Sequence, residues 1–290
     1  MTSNNDAMRD YGLISPLSIP KTSSVPAPET RSSNTAEYDH YFRIIRHDSG
    51  LLDWSRTCLR VEGQLLEDLE QTSLSAEDKY RVLQGLLTVH HVTLERWVAV
   101  EEASPSGEQA GSPGAAEASE LLPTQRDAVR RWKLGHHIFH ILLVVMNTKL
   151  DDILELLGHQ DWDAATAALS DLARLYEAAT SSMRYTSDFG RLQYEGLIRP
   201  SMMPPFASPG FSGVFNVEHA VMRDRLKRLR AAMRSLERLA PERTLAAWEQ
   251  LQDAERANCD SHALICHKFV DDGVSLLRDF FRQRKEPRRE

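Results

Sequence analysis

Apolar residues recur at helical spacing along nearly the whole of this 290-residue chain, and that property excludes most folds. A helix turns about 100° per residue, so positions i, i+3, i+4 and i+7 share a face. Trp132, His136, Phe139, Leu143, Met146 and Leu150 make one such stripe. No stretch alternates apolar and polar residues for long enough to suggest a sheet. The periodicity predicts an all-α fold with helices near 36–47, 50–72, 76–102, 125–157, 160–181, 215–239 and 241–283. Ser75, ahead of AEDKYRVL, reads as an N-cap followed by acids in the first turn. Pro241 stands where a helix should begin.

Three stretches interrupt the pattern at low complexity. Residues 1–35 are rich in Ser, Thr, Pro and Asn and read as an arm that does not order by itself. Residues 103–124 read as a flexible loop inside a single helical domain spanning 36–283, and 284–290 as a frayed basic tail. A fourth interruption differs. IRPSMMPPFASPGFSG, from Ile198 to Gly213, carries four prolines and two glycines and predicts an irregular loop between two amphipathic segments. Ordered loops of that length in compact helical domains are usually functional.

The net charge of −7 argues against a nucleic-acid binder, which would carry a basic face. Three cysteines, Cys58, Cys259 and Cys266, make neither a disulfide framework nor a C-x-x-C zinc site. The N-terminus has no apolar core of signal-peptide length, and the longest apolar run, Ile141–Met146, is far too short to span a bilayer. The expectation is a soluble cytoplasmic protein with no membrane partner.

The chain holds 11 histidines, and several fall on apolar stripes. On the last helix, Trp248, Leu251, Cys259, Ile265, Cys266 and Phe269 lie within about 60° of His262. His262 is thus expected at the centre of a buried face, with His267 turned outward. His219 lies on the stripe of Phe215, Met222, Leu226 and Leu229. His136 is inside its stripe with His137 on the flank, and His90 sits among Leu83, Leu87 and Leu94 with His91 at the edge. Buried imidazoles cost free energy unless each finds a partner. Individually hydrogen-bonded histidines are one solution, and a shared metal or cofactor pocket is another. No H-E-x-x-H or paired carboxylates complete a zinc set. Haem needs one strong axial ligand and a broad apolar slot, which suits a central His among Phe, Leu and Trp.

The run HHIFHILLVVMNTKLDDILELLGHQDWDAATAALSDLARLYEAATSSMRYTSDF, then YEGLIRP and ASPGFSGVF, resembles tryptophan 2,3-dioxygenase in order and spacing. In that fold a helical bundle surrounds a haem. A distal His stands near His136 or His137, the proximal His near His262, and the loop carries SGFQS where this chain has SPGFSG. The loop Gln and the carboxylate-binding Arg of the dioxygenase are absent. A smaller branch of the superfamily, the histidine-ligated haem aromatic hydroxylases of antibiotic biosynthesis, fits this chain better.

The resemblance implies hydroxylation of L-tyrosine or a substituted tyrosine ortho to the phenol, giving a catechol, with hydrogen peroxide as oxidant. It implies a haem held by His262, of b type, with a single thioether through Cys266 as the variant suggested by HALIC. His90, His91, His136 and His219 are the distal candidates, the adjacent pair first, since one can face iron while the other meets substrate. Arg199 is expected to bind the substrate carboxylate, with Phe211 and Ser212 in the closing loop. Helix-rich relatives of this kind associate, so a homo-oligomer is expected. Two other readings stand beside this one: a haem dioxygenase acting on tryptophan or another indole, and a helical scaffold with no cofactor.

Overall fold

The computed structural model describes residues 14–20, 29–47, 50–100 and 121–269. Its long helices are α1 (Glu29–Phe42), α2 (Leu51–Leu69), α3 (Ala76–Val100), α4 (Pro123–His159) and α5 (Trp162–Thr186). Two short helical segments follow, α6 (Arg191–Gln193) and α7 (Arg199–Ser201), joined by a π-helical turn at Tyr194–Ile198. The last two helices are α8 (Val217–Leu236) and α9 (Glu242–Phe269). The fold is all-α, as the periodicity predicts.

The helix starts are written locally. Ser75 Oγ accepts the Asp78 backbone N–H at 3.0 Å, which bears out the expected cap of α3. Asp161 caps α5 by accepting from Ala164 N at 3.2 Å. Pro123 opens α4 at a position where a missing N–H costs nothing, and the N–H of Leu122 donates to the Gln125 side chain.

α4 and α5 pack along each other at the centre, with α3 and α9 against α5 and α2 and α8 against α4. The alanines of α5 make this possible. Ala165, Ala173, Ala178 and Ala179 are buried and let neighbouring helices approach closely. A side chain added at Gly85 would run into Ala178, and one at Gly135 into Thr186, so both glycines mark tight helix contacts. At one end of the layer, Arg131 Nε donates to Asp68 Oδ2 at 2.8 Å and Tyr185 OH to the same carboxylate at 2.9 Å. That buried cluster ties α2, α4 and α5 together.

Two features depart from the sequence expectation. Leu17–Pro20 and Ile44–His47 form a two-stranded parallel sheet, Leu17 opposite Ile44. Ile14, Leu17 and Ile19 are buried, so part of the arm expected to be disordered is core. Two alternating residues in a four-residue strand are too few to stand out as a period. The predicted helix at 36–47 is therefore the end of α1 plus a strand. The π turn and α7 also carry helix into the start of the 198–213 loop, whose irregular part begins at Met202. Residues 1–13, 21–28, most of the 103–124 loop and the 284–290 tail lie outside the described residues. Among the described residues no helix is long and apolar enough to cross a membrane.

Candidate functional site

α8 and α9 run antiparallel from a turn at 237–241. Arg230 pairs with Glu255 between them, yet along most of their length they barely touch. Away from the turn the two helices stand apart, and the gap between them is called the α8–α9 crevice. His219 on α8 and His262 on α9 stand at its open end. At about 1.5 Å per residue, they are roughly 26 and 30 Å from the turn, at similar heights.

The charge of His262 bears on the His219 imidazole. Burial lowers the pKa of His219, and the charges of Arg223 and His262 lower it further. Burial also lowers that of His262, although solvent reaches its ring. The sequence placed His262 at the centre of a buried face, and here the structure corrects it. α9 rests on α5, its Ala247, Leu251, Ala254 and Ser261 are buried, and His262 is exposed among the described residues. Among the described residues neither imidazole takes part in a hydrogen bond.

Aromatic rings of α4 link the two walls. Phe139 lies 6.5 Å from the His219 ring, centroid to centroid, one turn from His136. His136 stacks on Phe42 at 4.1 Å and packs on Trp132 at 4.4 Å. Trp132 approaches Tyr194 at 6.4 Å, and Tyr194 stacks on Phe269 of α9 at 4.5 Å.

The nitrogens of His136 are asymmetric. Nδ1 bonds the Trp132 carbonyl at 2.6 Å, which fixes Nδ1–H as donor and leaves Nε2 as the acceptor. Burial pushes the His136 pKa down to about 3, so the ring is neutral. His137, expected on the flank, is instead fully buried and donates from Nε2 to the Phe42 carbonyl at 2.6 Å. Burial pushes its pKa down to about 3 as well.

Beside His219 lies a network that the sequence did not disclose. Asn216 Oδ1 accepts the His219 N–H at 2.9 Å and caps α8, while its Nδ2 donates to His140 Nε2 at 3.1 Å. His140 Nδ1 faces Glu218 Oε2 at 3.5 Å, close enough for electrostatic attraction but too poorly aligned for a hydrogen bond. Arg46 of the second strand grips Glu218 through two nitrogens and Asp39 through two more contacts. Burial pushes the Glu218 carboxyl up, but His140 and Arg46 outweigh it and hold the group well below the usual carboxylate range. Two sequence signals bear on this network: His136 and His140 one turn apart, and Asn216 ahead of a helix.

The remaining predicted residues do not converge on the crevice. His90 Nε2 meets Glu62 of α2 at 2.6 Å, and His91 is exposed beside Glu95. The side-by-side pair therefore points to α2 and to solvent. Phe211 is buried among Tyr38, Tyr41, Phe42 and Phe215. Arg199 and Ser212 are half-buried. Cys266 lies on α9, but its side chain is outside the described residues.

The family model of the SfmD 3-methyl-L-tyrosine peroxygenases matches residues 4–246. The chain belongs to that family. It is 31% identical over 191 residues to a 3-methyl-L-tyrosine peroxygenase of Streptomyces lavendulae, covering 62% of this chain and 48% of that protein. It thus spans about half the length of the curated relative it matches. A crystal structure of SfmD reduced by soaking with sodium hydrosulfite matches with a TM-score of 0.57 at 25% identity, over 88% of this chain and 80% of that one. The family match stops short of His262, so that residue rests on its own geometry.

The donors in the crevice fit haem better than a metal held by side chains alone. Among the described residues no group of three His, Cys, Asp or Glu side chains is placed to hold a metal ion. Haem takes one axial imidazole beside an apolar slot, and neither His219, near Phe139, nor His262 is hydrogen-bonded through its ring among the described residues.

Proposed function

We propose that this chain is a haem-dependent, peroxide-using hydroxylase of a tyrosine-type ring. One oxygen of hydrogen peroxide replaces a C–H hydrogen next to the phenol hydroxyl, giving a catechol, and the other leaves as water. The substrate is L-tyrosine or a ring-substituted tyrosine, the latter in keeping with the relative's name. The observation that carries the reading is the pair of imidazoles without a ring hydrogen bond among the described residues, His219 on α8 and His262 on α9, at similar heights above the 237–241 turn in a chain of this family.

In this reading His262 holds the haem, which is b-type, and the haem supplies activation of the peroxide O–O bond. His219 stands on the opposite wall. Of the four distal candidates it is the one whose electrostatics include His262. His136 presents a neutral acceptor nitrogen beside Phe139, suited to take a hydrogen bond from the substrate phenol. Trp132 and Tyr194 supply apolar walls for an aromatic ring.

Haem titration of the purified protein, followed by its Soret band, tests the cofactor. His262→Ala is expected to weaken haem retention by at least tenfold, and unchanged retention would sink the reading. Labelled peroxide should deliver one labelled oxygen to a catechol product. A plain type-b pyridine haemochrome spectrum is expected, whereas a thioether at Cys266 would shift it.

A further inference from the structure

The aromatic rings that link α4 to α9 are of two chemical kinds. Phe42, Phe139 and Phe269 resist one-electron oxidation, whereas the indole of Trp132 and the phenols of Tyr41 and Tyr194 yield to a strong oxidant. Trp132 packs on His136 at 4.4 Å, and His136 is one turn from Phe139, whose ring is 6.5 Å from that of His219. Trp132 also meets both phenols. Its Nε1–H donates to Tyr41 OH at 3.2 Å, and its ring lies 6.4 Å from that of Tyr194. Two branches therefore leave Trp132, and they differ in whether an electron can be drawn from their end.

The Tyr41 branch is closed. The Lys133 ammonium lies 3.4 Å from the Tyr41 ring centroid, and a cation there opposes any positive charge on the ring. A phenol that loses an electron must also lose its proton. Tyr41 OH is 2.7 Å from Ser201 Oγ, which donates to the Ile198 carbonyl at 2.6 Å, and a serine hydroxyl is no base. Tyr41 is only 4% exposed, and burial pushes its hydroxyl up to about 12. The Tyr194 branch is open. Tyr194 is half-buried at the start of the π turn, between exposed Leu192 and exposed Glu195, where water can take a proton.

We propose that Trp132 and Tyr194 form an outlet that carries oxidising equivalents from the crevice to the surface when peroxide arrives and no substrate ring is bound. The outlet rests on the peroxide-dependent reading above. An oxidant left without a substrate attacks its own site, and exclusion of such side reactions falls to the protein. Reduction of one peroxide to two waters takes two electrons and two protons. Tyr194 supplies the first electron by way of Trp132 and breaks its O–H bond, which releases one proton to water and leaves a neutral phenoxyl radical. Trp132 supplies the second electron and remains an indole radical cation, with the second proton drawn from solvent. A bound substrate is oxidised in their place, and the outlet stays idle.

Freeze-quenched electron paramagnetic resonance tests this on the haem-loaded full chain mixed with hydrogen peroxide in the absence of substrate. A protein radical is expected, and growth on ring-deuterated tyrosine should narrow its signal. Tyr194→Phe should abolish that narrowing and leave an indole signal. Trp132→Phe should lower the whole signal at least threefold, and its Soret band should bleach at least threefold faster. Tyr41→Phe should change neither. Where Trp132→Phe fails to fold, the narrowing and its loss in Tyr194→Phe still decide where the outlet ends. A haem-loaded protein that forms no radical, or a radical unchanged in both Tyr194→Phe and Trp132→Phe, would overturn the outlet and leave the hydroxylase reading standing. A protein that takes up no haem would overturn that reading, and the outlet with it.

Discussion

Glu218 and His219 are consecutive residues at the start of α8, and their environments are opposite. Glu218 is 1% exposed and is held by Arg46 beside His140. His219 is half-buried and its ring is uncommitted. One turn of backbone carries a fully engaged buried charge on one side and an open nitrogen toward the crevice on the other. A buried polar group with all its partners in place holds the fold. A polar ring without them, at the lip of a cleft, is placed for something that arrives later. The comparison separates the machinery that fixes the start of α8 from the surface that machinery presents.

The largest way to break the comparison is Glu218→Ala. Removing one partner of a buried pair leaves Arg46 with Asp39 alone and is expected to cost about 3 kcal/mol of unfolding free energy, measured by urea denaturation. The effect should depend on pH with a definite sign. The folded carboxyl is held below its usual range, so its stabilisation is complete above the unfolded value of about 4.3 and fades as pH falls through the folded value. The gap between wild type and Glu218→Ala should therefore narrow in acid. A gap constant from pH 7 to pH 3 would mean that Glu218 acts by packing alone.

A smaller effect comes from the two neutral histidines of α4. His136 and His137 have folded pKa values of about 3, against about 6.5 in an unfolded chain. Between pH 6.5 and 4.5 the unfolded chain takes up protons that the folded chain refuses. Stability should then fall with pH, each such histidine contributing at most about 1.4 kcal/mol per pH unit. His137→Leu should remove one proton from that slope, read from urea unfolding at half-unit pH steps. An unchanged slope would mean that His137 is protonated in the folded state.

What was legible in the sequence follows the range of the interactions. Helix positions and caps depend on neighbours within a turn or two, and Ser75 capped α3 as read. The crevice depends on which helices touch, and periodicity does not encode that. His262 lies near the apolar stripe of α9 by angle, but its exposure is decided by the gap to α8. The Glu218 network was invisible for the same reason. Arg46 reaches it across 172 residues of chain, from a strand too short to reveal itself by alternation. His137 is buried rather than on the flank because the Phe42 carbonyl at the end of α1 meets its ring, and the position of α1 is not written in the periodicity of α4.

The smallest expected effect separates two exposed histidines. His91 is 67% exposed beside Glu95, and His262 is exposed at the crevice. Neither makes a contact whose loss unfolds the protein, so each alanine variant without haem should stay within about 0.5 kcal/mol of wild type. Haem titration then distinguishes them, because stability no longer does. His91→Ala should bind haem as the wild type does, while His262→Ala should not. By sequence the adjacent pair at 90–91 suggests a site, since two neighbouring imidazoles can serve two faces. Its geometry commits one ring to Glu62 and the other to solvent. Loss of haem in His91→Ala with retention in His262→Ala would return that pair to the site and remove the α8–α9 crevice from it.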